Sequence, residues 1–308
     1  MSDIEHRLLA ARMRAEEKAA IDTSIFQIDH FRVPASLSPF VMRIYYFQSD
    51  EDYVRDFQPA ALAQLVFVLQ GEGRSCFHDG HHDIVRPATV FGPGFGATQF
   101  EIAGPFRHLG LALTPLGFVA LTGQAANHFA DRAVDAAELF GTRIHDLVLQ
   151  FQAELVSGKW NLEDAIDRTA AFLLGGLRRI PASHLDLLAA VNEWISGDLD
   201  PDVEQLYSAL DISRSTASRL IARYFGATPK MLMRKYRAVR AAIILVDPNT
   251  DASLRDRVQS LFYDQPHMIR EIRPFSGRTP GALDGNDSKI MRLWLNSQNF
   301  RDLKAFPG

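Results

Sequence analysis

The sequence contains a single cysteine, Cys76, among its 308 residues. One cysteine excludes an intramolecular disulfide and a zinc site built from several cysteines. We expect Cys76 to be a small buried hydrophobic residue. Apolar runs are short as well, because none reaches the roughly eighteen residues that a membrane-spanning helix needs. The first twenty residues are densely charged and lack the apolar core of a signal peptide. We therefore expect a soluble, cytoplasmic protein that does not contact a membrane.

Motifs that carry common enzyme chemistry are also scarce. The sequence has neither a glycine-rich phosphate loop nor a hydrolase nucleophile elbow. His78, His81 and His82 are suitable metal ligands by type, but they flank an apparent turn at Asp79-Gly80, and neighbours in a strand point to opposite faces. We interpret them as exposed turn histidines. The sequence predicts no catalytic residue, metal or cofactor, and a cupin-type enzyme with a helical accessory domain is the disfavoured alternative.

Charge is distributed unevenly, although the net charge is only −4. Residues 1–180 hold sixteen Lys/Arg and twenty-two Asp/Glu, which gives −6. Residues 209–283 hold thirteen Lys/Arg and six Asp/Glu, which gives +7. A basic segment in an otherwise acidic chain indicates a phosphate-binding surface.

The basic segment contains a sequence pattern that occurs twice at an offset of 51 residues. A repeat of this kind constrains the architecture before any other signal does. The aligned pairs are Arg219 and Arg270, Gly226 and Gly277, Thr228 and Thr279, and Pro229 and Pro280.

Each copy is typical of the second half of a helix-turn-helix. Ser213 is the predicted N-cap in the first copy, and Gly226 supplies the left-handed residue that ends the helix. Asp264 is the predicted N-cap in the second copy. The buried faces at helical spacing are predicted to hold Ala217, Leu220, Ile221 and Tyr224 in the first copy, and Met268, Ile272 and Phe275 in the second.

A single helix is predicted to join the two copies. Thr228 caps it, Pro229 occupies its first turn, and it reaches to about Val246 before Asp247-Pro248. Such a helix is roughly 25 Å long. Two recognition helices held apart by it could enter successive major-groove turns, which lie about 34 Å apart on one face of a duplex.

This arrangement resembles the DNA-binding domain of the AraC/XylS family of transcriptional regulators. The resemblance covers about a hundred residues, roughly 185–283. It implies double-stranded DNA and RNA polymerase as partners, and a cupin-like barrel ahead of the DNA-binding domain that senses a small-molecule effector. The residues that carry it are Ile212–Leu220, Tyr224–Pro229, Tyr263–Glu271 and Phe275–Pro280.

Two kinds of DNA contact are expected, and the resemblance places the groove-reading arginines at Arg219 and Arg270. Arginine bidentate to guanine is the commonest specific contact, whereas phosphate contacts fix register without reading sequence. The candidate base-reading residues are Ser215, Thr216, Ser218, Arg219, Gln265, His267 and Arg270. The candidate phosphate-binding residues are Arg214, Arg223, Lys230, Arg234, Arg273 and Arg278.

The second copy departs from the family pattern. Asp256-Arg257 stands where the supporting helix should be apolar, and Leu261 replaces the usual turn glycine. Pro274 falls near the end of the recognition helix and is expected to cut or bend it. We therefore expect the first unit to dominate specificity.

In residues 25–113 the sequence pattern changes to short β-rich runs separated by turn residues. This pattern predicts a small barrel or sandwich. The runs are Phe40–Phe47, Leu62–Leu69, Arg74–Phe77, Thr89–Phe91, Thr98–Ile102 and His108–Leu113. Aromatic rings from these runs either line an effector pocket or form the core, and the domain could instead present only protein contacts. The candidate pocket residues are Tyr45, Phe47, Phe67, Arg74, Phe91, Arg107 and His108.

The sequence thus predicts an α+β protein. Its expected parts are a helical extension (1–20), a β-barrel with following helices (21–180), the AraC-type domain (184–283) and a tail (284–308). Helices are expected at 136–156 and 170–177, with Asn161 as a cap. Their apolar stripes leave open whether they pack within the chain or in a homodimer.

Overall fold

The computed structural model describes residues 2–17, 26–247 and 249–283. A β-sheet domain with surrounding helices precedes an all-helical domain, so the predicted α+β class is confirmed. The tail 284–308 lies outside the described residues. The strands are β1 (Phe26–Phe31), β2 (Val41–Ser49), β3 (Tyr53–Gln58), β4 (Gln64–Cys76), β5 (His82–Val85), β6 (Ala88–Phe91), β7 (Thr98–Leu113) and β8 (Ala133–Asp135).

The described strands form one eight-stranded antiparallel sheet in the order β1-β2-β7-β4-β6-β8, with β3 on β7 and β5 on β4. The strands β4 and β7 span 13 and 16 residues and pair with one another along most of their length. Each was expected as two shorter strands. Each is continuous, and its two halves pair with different neighbours: β7 meets β3 at 98–103 and β2 at 106–113.

The alternation of side chains along β4 divides the hydrophobic core. Leu65 and Phe67 belong to the face covered by helices, whereas Val66 and Val68 belong to the opposite face, which packs with Phe47 and other residues of β2 and β7. Successive residues of a strand point to opposite faces, so this division follows from the strand itself.

Six helices described in the first part of the chain cover the sheet. They are α1 (Asp3–Glu17), α2 (Pro115–Thr122), α3 (Ala137–Phe140), α4 (Arg143–Val156), α5 (Leu162–Gly175) and α6 (Ala182–Gly197), where α6 leads into the second domain. In α1, Leu8 and Ala11 are buried against the sheet. The single helix expected at 136–156 is two helices, because Gly141 adopts φ 79 between them.

The second domain contains two helix-turn-helix units, as predicted. Its further helices are α7 (Val203–Ala209), α8 (Arg214–Phe225), α9 (Pro229–Val246), α10 (Ala252–Ser260), α11 (Gln265–Ser276) and α12 (Pro280–Leu283). The hydroxyl of Ser213 caps α8 and the carboxylate of Asp264 caps α11. Gly226 and Gly277 end these helices in the left-handed conformation, at φ 90 and φ 78.

The helix α9 joins the two units and is about 27 Å long at 18 residues. Its predicted stripe is buried or half-buried. Arg240 is fully buried on another face of α9, and its guanidinium donates hydrogen bonds to the carbonyl oxygens of Ile195 and Asp198 at the end of α6. Burial lowers the pKa of Arg240 to about 10. The residues of the stripe are Leu232, Tyr236, Val239, Ile243 and Val246.

Two expectations about the second unit are corrected. Leu261 ends α10 in a right-handed conformation at φ −69, so this turn does not require a glycine. The helix α11 continues to Ser276, so Pro274 does not cut it. Because Pro274 lies in the last turn of α11, only two helical residues follow it. The backbone hydrogen bond that a proline cannot donate therefore affects only a short stretch of helix.

Candidate nucleic-acid interface

The first recognition helix, α8, presents Arg219 and Arg223 to solvent while Ala217, Ile221 and Tyr224 are buried. The arginine expected to read bases is therefore accessible. Ser215 is exposed beside it, and Thr216 and Ser218 are half-buried.

The hydroxyl of Ser218 lies 2.6 Å from that of Tyr207 on α7. Because this bond joins the two helices of the unit, Ser218 contributes to their relative orientation. A hydroxyl has one donor and two acceptor sites, so this bond uses part of the hydrogen-bonding capacity that base reading by Ser218 would need.

The second recognition helix, α11, exposes Gln265, Arg270 and Arg273. Arg270 donates a hydrogen bond from Nε to the carbonyl oxygen of Pro266 at 3.3 Å. His267 is half-buried, and its Nδ1 accepts a hydrogen bond from the backbone N–H of Tyr263 at 3.1 Å. His267 thus holds the turn before α11.

Tyr263 is the functional candidate that the sequence reasoning missed. It lies in the turn before α11 and is 94% exposed. An exposed tyrosine beside α11 is a candidate for contact with the sugar-phosphate backbone next to that helix. An aromatic residue in a predicted turn was the available signal.

The candidate phosphate-binding residues fall into two groups. Arg223, Lys230 and Arg273 are exposed, and so is Arg214, although it pairs with Glu204. The other two are engaged with carboxylates. Arg234 lies 3.1 Å from Glu271, and Arg278 lies 2.6 Å from Asp56 of the sheet domain.

Glu271 is the centre of an ion-pair cluster that neutralises part of the positive charge of this domain. It pairs with Arg234 and also with Arg237, which reaches Asp200 at 2.9 Å. Burial raises the pKa of Glu271, but hydrogen bonds from the two arginines outweigh it and the net pKa is lowered. The outward positive charge therefore comes mainly from α8, α11 and the start of α9.

The helical domain docks on the sheet domain at equivalent positions of the two units. Gly226 lies against Pro93 and Phe95, and Gly277 lies against the ring of Phe57. A Cβ atom at either glycine would approach these side chains to 2.5 Å and 2.7 Å. Both recognition helices therefore end on the surface of the sheet domain.

A cavity of about 920 Å³ lies between the two domains. The side chain of Lys235, on α9, is 3% exposed and lies 4.9 Å from the ring centre of Phe95. Burial lowers the pKa of Lys235 to about 7, against a smaller raising effect of Asp131. The lining includes Met42, Arg43, Tyr45, Gln58, Pro59, Ala60, Ala61, Leu62, Gln64, Ala189, Asn192, Glu193, Lys235, Tyr236 and Val239.

The predicted effector residues are only partly brought together. A cavity of about 70 Å³ inside the sheet domain is lined by five of them, namely Tyr45, Phe47, Arg74, Phe91 and His108. Phe67 lies on the opposite face and packs on Phe151 at 5.8 Å. Arg107 lies at the surface, where it pairs with Asp50. Phe67 and Arg107 therefore do not line this cavity.

Two polar groups distinguish the small cavity. Burial lowers the pKa of His108 to about 3, so its ring is neutral, and its buried Nδ1 has no hydrogen-bond partner among the described residues. The hydroxyl of Tyr45 donates to Oε1 of Gln64. Because Tyr45 and Gln64 also line the large cavity, this bond lies between the two.

The turn histidines do not converge. His81 bonds to Asp79 at 2.5 Å and stacks on Phe77, while His78 and His82 are exposed. Within residues 2–17, 26–247 and 249–283, no group of three His, Cys, Asp or Glu side chains could hold a metal ion. In the same ranges, no helix combines the length and the apolar character needed to cross a membrane.

The described residues thus define a chain in which one long helix carries two helix-turn-helix units against an antiparallel sheet domain. A family model described as a domain of unknown function, DUF6597, matches residues 30–135. Among curated proteins, none matches the chain.

Several solved structures are similar to this chain. One is ToxT from Vibrio cholerae O395, with 10% identity, a TM-score of 0.43, and coverage of 89% of this chain and 99% of that one. ToxT from strain SCE256 with a bound unsaturated fatty acid has 7% identity, a TM-score of 0.43, and coverage of 86% and 96%. The AraC-like transcriptional activator CuxR has 14% identity, a TM-score of 0.29, and coverage of 70% and 86%.

Proposed function

We propose that this chain is a sequence-specific, double-stranded-DNA-binding transcription regulator of the AraC/XylS type. The observation that carries the proposal is the equivalence of its two recognition helices. Each has a polar N-cap, a left-handed glycine stop and an exposed arginine at the same position, Arg219 or Arg270. The two helices enter the major groove, and the exposed cations Arg223, Lys230 and Arg273 contact phosphate.

The test is selection of duplexes from a random-sequence pool by the purified chain. We expect enrichment of one sequence, and binding that weakens steeply with salt as phosphate contacts release counterions. Recovery of a random pool after several rounds would contradict the proposal.

The expected setting is the cytoplasm, with RNA polymerase and a second copy of this chain as the partners that the resemblance implies.

We further propose that a small-molecule effector binds in the cavity between the domains. Its volume of about 920 Å³ suits a metabolite, whereas the cavity of about 70 Å³ inside the sheet domain is too small for one. Lys235 places its amine in largely apolar surroundings, and a carboxylate beside it would favour the protonated form. An effector with an apolar body and one carboxylate would satisfy both features.

Matched ligands test this effector class. Straight-chain carboxylic acids should raise the melting temperature of the wild-type protein more than alcohols of the same chain length. The Lys235→Met variant should lose the difference between acid and alcohol, because it keeps the apolar volume and removes the charge. Equal shifts for acids and alcohols in the wild type would contradict the carboxylate assignment.

A further inference from the structure

One histidine of the helical domain contacts the first recognition helix. His184 is the third residue of α6, and its Nδ1 lies 2.8 Å from the hydroxyl oxygen of Tyr224 on α8. The two rings meet edge to face, with their centroids 5.6 Å apart. Tyr224 is buried, whereas His184 is half-buried. A buried hydroxyl therefore holds the imidazole of His184 against α8, and part of the side chain stays exposed.

Two arginines of α8 act on this imidazole. Burial lowers the pKa of His184 below its ordinary value of 6.5, and the positive charges of Arg223 and Arg219 lower it further. Both arginines are exposed, and neither pairs with a carboxylate of the described residues. The ring of His184 is therefore mostly neutral at pH 7 and lies in a positive field.

The surroundings of His184 supply no negative charge to balance this field. Neither α2 nor α8 contains an acidic residue, and no group of α7 or α9 shifts the pKa of His184. These are the helices that pack on α6. Asp186 follows two positions later on α6 itself, and residues at that spacing do not face each other. The described residues thus leave the positive charge around His184 open to an anion from outside the chain.

A phosphate of the DNA backbone suits this position. An opposite charge within about 4–6 Å favours the charged form of a histidine. Both ring nitrogens of a protonated histidine are donors, and Nε2 of His184 makes no hydrogen bond to a described residue. A protonated His184 can therefore donate from Nε2 to a phosphate oxygen while its Nδ1 donates to the hydroxyl of Tyr224.

We propose that His184 and Arg223 form a phosphate-binding site beside Arg219, and that His184 takes up a proton when a DNA phosphate binds there. The inference rests on the proposed function and deepens it, because it names a group of the duplex that the first helix-turn-helix unit holds. Binding of DNA and protonation of one side chain are then linked.

The linkage has a definite sign. A bound phosphate raises the pKa of His184 relative to the free chain, so the complex binds a proton that the free chain lacks. The gain in affinity is fully present below the pKa of the free chain and is lost as pH rises through the pKa of the complex. Each unit of difference between the two corresponds to about tenfold in affinity.

Affinities of the full-length chain for a duplex that it has selected, measured at pH 5.5 and pH 8 at fixed salt, test this linkage. Between pH 8 and pH 5.5 the wild type should gain about threefold more affinity than His184→Gln does. His82→Gln, which changes an exposed histidine of the sheet domain, is the control and should keep the wild-type profile. Parallel profiles for wild type and His184→Gln would overturn the proposal.

A substitution that restores the charge separates protonation from packing. His184→Lys should bind about threefold more tightly than wild type at pH 8, because lysine keeps its charge there. Affinity no greater than that of His184→Gln at pH 8 would show that His184 acts only through its shape, and it would overturn the proposal.

A measurement without DNA separates this site from the proposed function. In protein labelled at histidine, NMR follows the imidazole signal of His184, which is assigned by its absence from His184→Gln. Replacing chloride by sulfate at constant ionic strength should raise the pKa of His184 in the wild type and not in Arg223→Gln, because sulfate has the shape of phosphate. An unchanged pKa in the wild type would overturn the site. Failure to bind any duplex would instead refute the proposed function, and the sulfate result would still decide the anion site.

Discussion

Nζ of Lys235 donates a hydrogen bond of 2.7 Å to the carbonyl oxygen of Ala61, across the boundary between the two domains. The bond joins the helix that carries both helix-turn-helix units to the segment 58–61, which lines the cavity. Burial at this point holds the pKa of the amine near 7. The charge of one side chain therefore bears on how the domains are held together.

The stability of the protein should depend on pH through Lys235. Its folded pKa is about 7 and its ordinary value is 10.5. Between these values the unfolded chain binds a proton that the folded chain does not, so the free energy of unfolding rises with pH. The contribution has a slope of at most about 1.4 kcal/mol per pH unit.

Urea unfolding of Lys235→Met between pH 7 and pH 10 checks this prediction. The variant should be more stable than wild type at pH 7, and the difference should shrink as pH rises. Lys230→Met is the control, since Lys230 is an exposed lysine on the same helix. Parallel pH profiles for wild type and Lys235→Met would show that Lys235 does not titrate in this range.

Gly226 should tolerate alanine less well than Gly80 does. The two have nearly the same backbone conformation, at φ 90 and φ 89. A Cβ atom at Gly80 has nothing within 4 Å, whereas at Gly226 it would approach Pro93 to 2.5 Å. Gly80→Ala measures the strain of the left-handed conformation alone, about 1 kcal/mol. Gly226→Ala adds the loss of contact between the domains.

Chemical denaturation of the two glycine variants gives the comparison. We expect the free energy of unfolding to fall by at least about 1 kcal/mol more in Gly226→Ala than in Gly80→Ala. Equal losses would indicate that the first helix-turn-helix unit does not press on the sheet domain in solution.

The two recognition arginines should contribute unequally. Arg219→Ala should weaken specific binding more than Arg270→Ala, because the sheet domain holds the end of α11 and the second unit departs from the family pattern. A good arginine contact to guanine contributes about 1–3 kcal/mol. A footprinting titration with both variants measures the difference, and equal losses at both arginines would contradict it.

Local signals in the sequence predicted the helical domain well. N-caps such as Ser213 and Asp264 act through bonds to residues two or three positions away, and a positive φ at Gly226 or Gly277 depends on one residue. These constraints are visible without knowledge of the fold. The limits of α8, α9 and α11 follow from them.

The contacts between the domains could not be predicted in the same way. Asp56 and Arg278 are separated by 222 positions, and no local pattern indicates that they meet. The cavity beside Lys235 exists only because the domains dock. In the sheet, the sequence predicted Phe67 as a pocket residue because strand register was unknown, and a strand places alternate residues on opposite faces.

The role of Arg219 in reading base sequence is tested most directly by one titration with two duplexes. The duplexes are one selected by the wild-type chain and one with the same composition in scrambled order. Arg219→Ala should lower affinity for the selected duplex by about tenfold and leave affinity for the scrambled duplex nearly unchanged. Arg257→Ala, an exposed arginine of α10 outside both recognition helices, is the control and should affect both duplexes alike. Equal losses on the two duplexes for Arg219→Ala would show that this residue contacts only phosphate and would contradict sequence-specific recognition by α8.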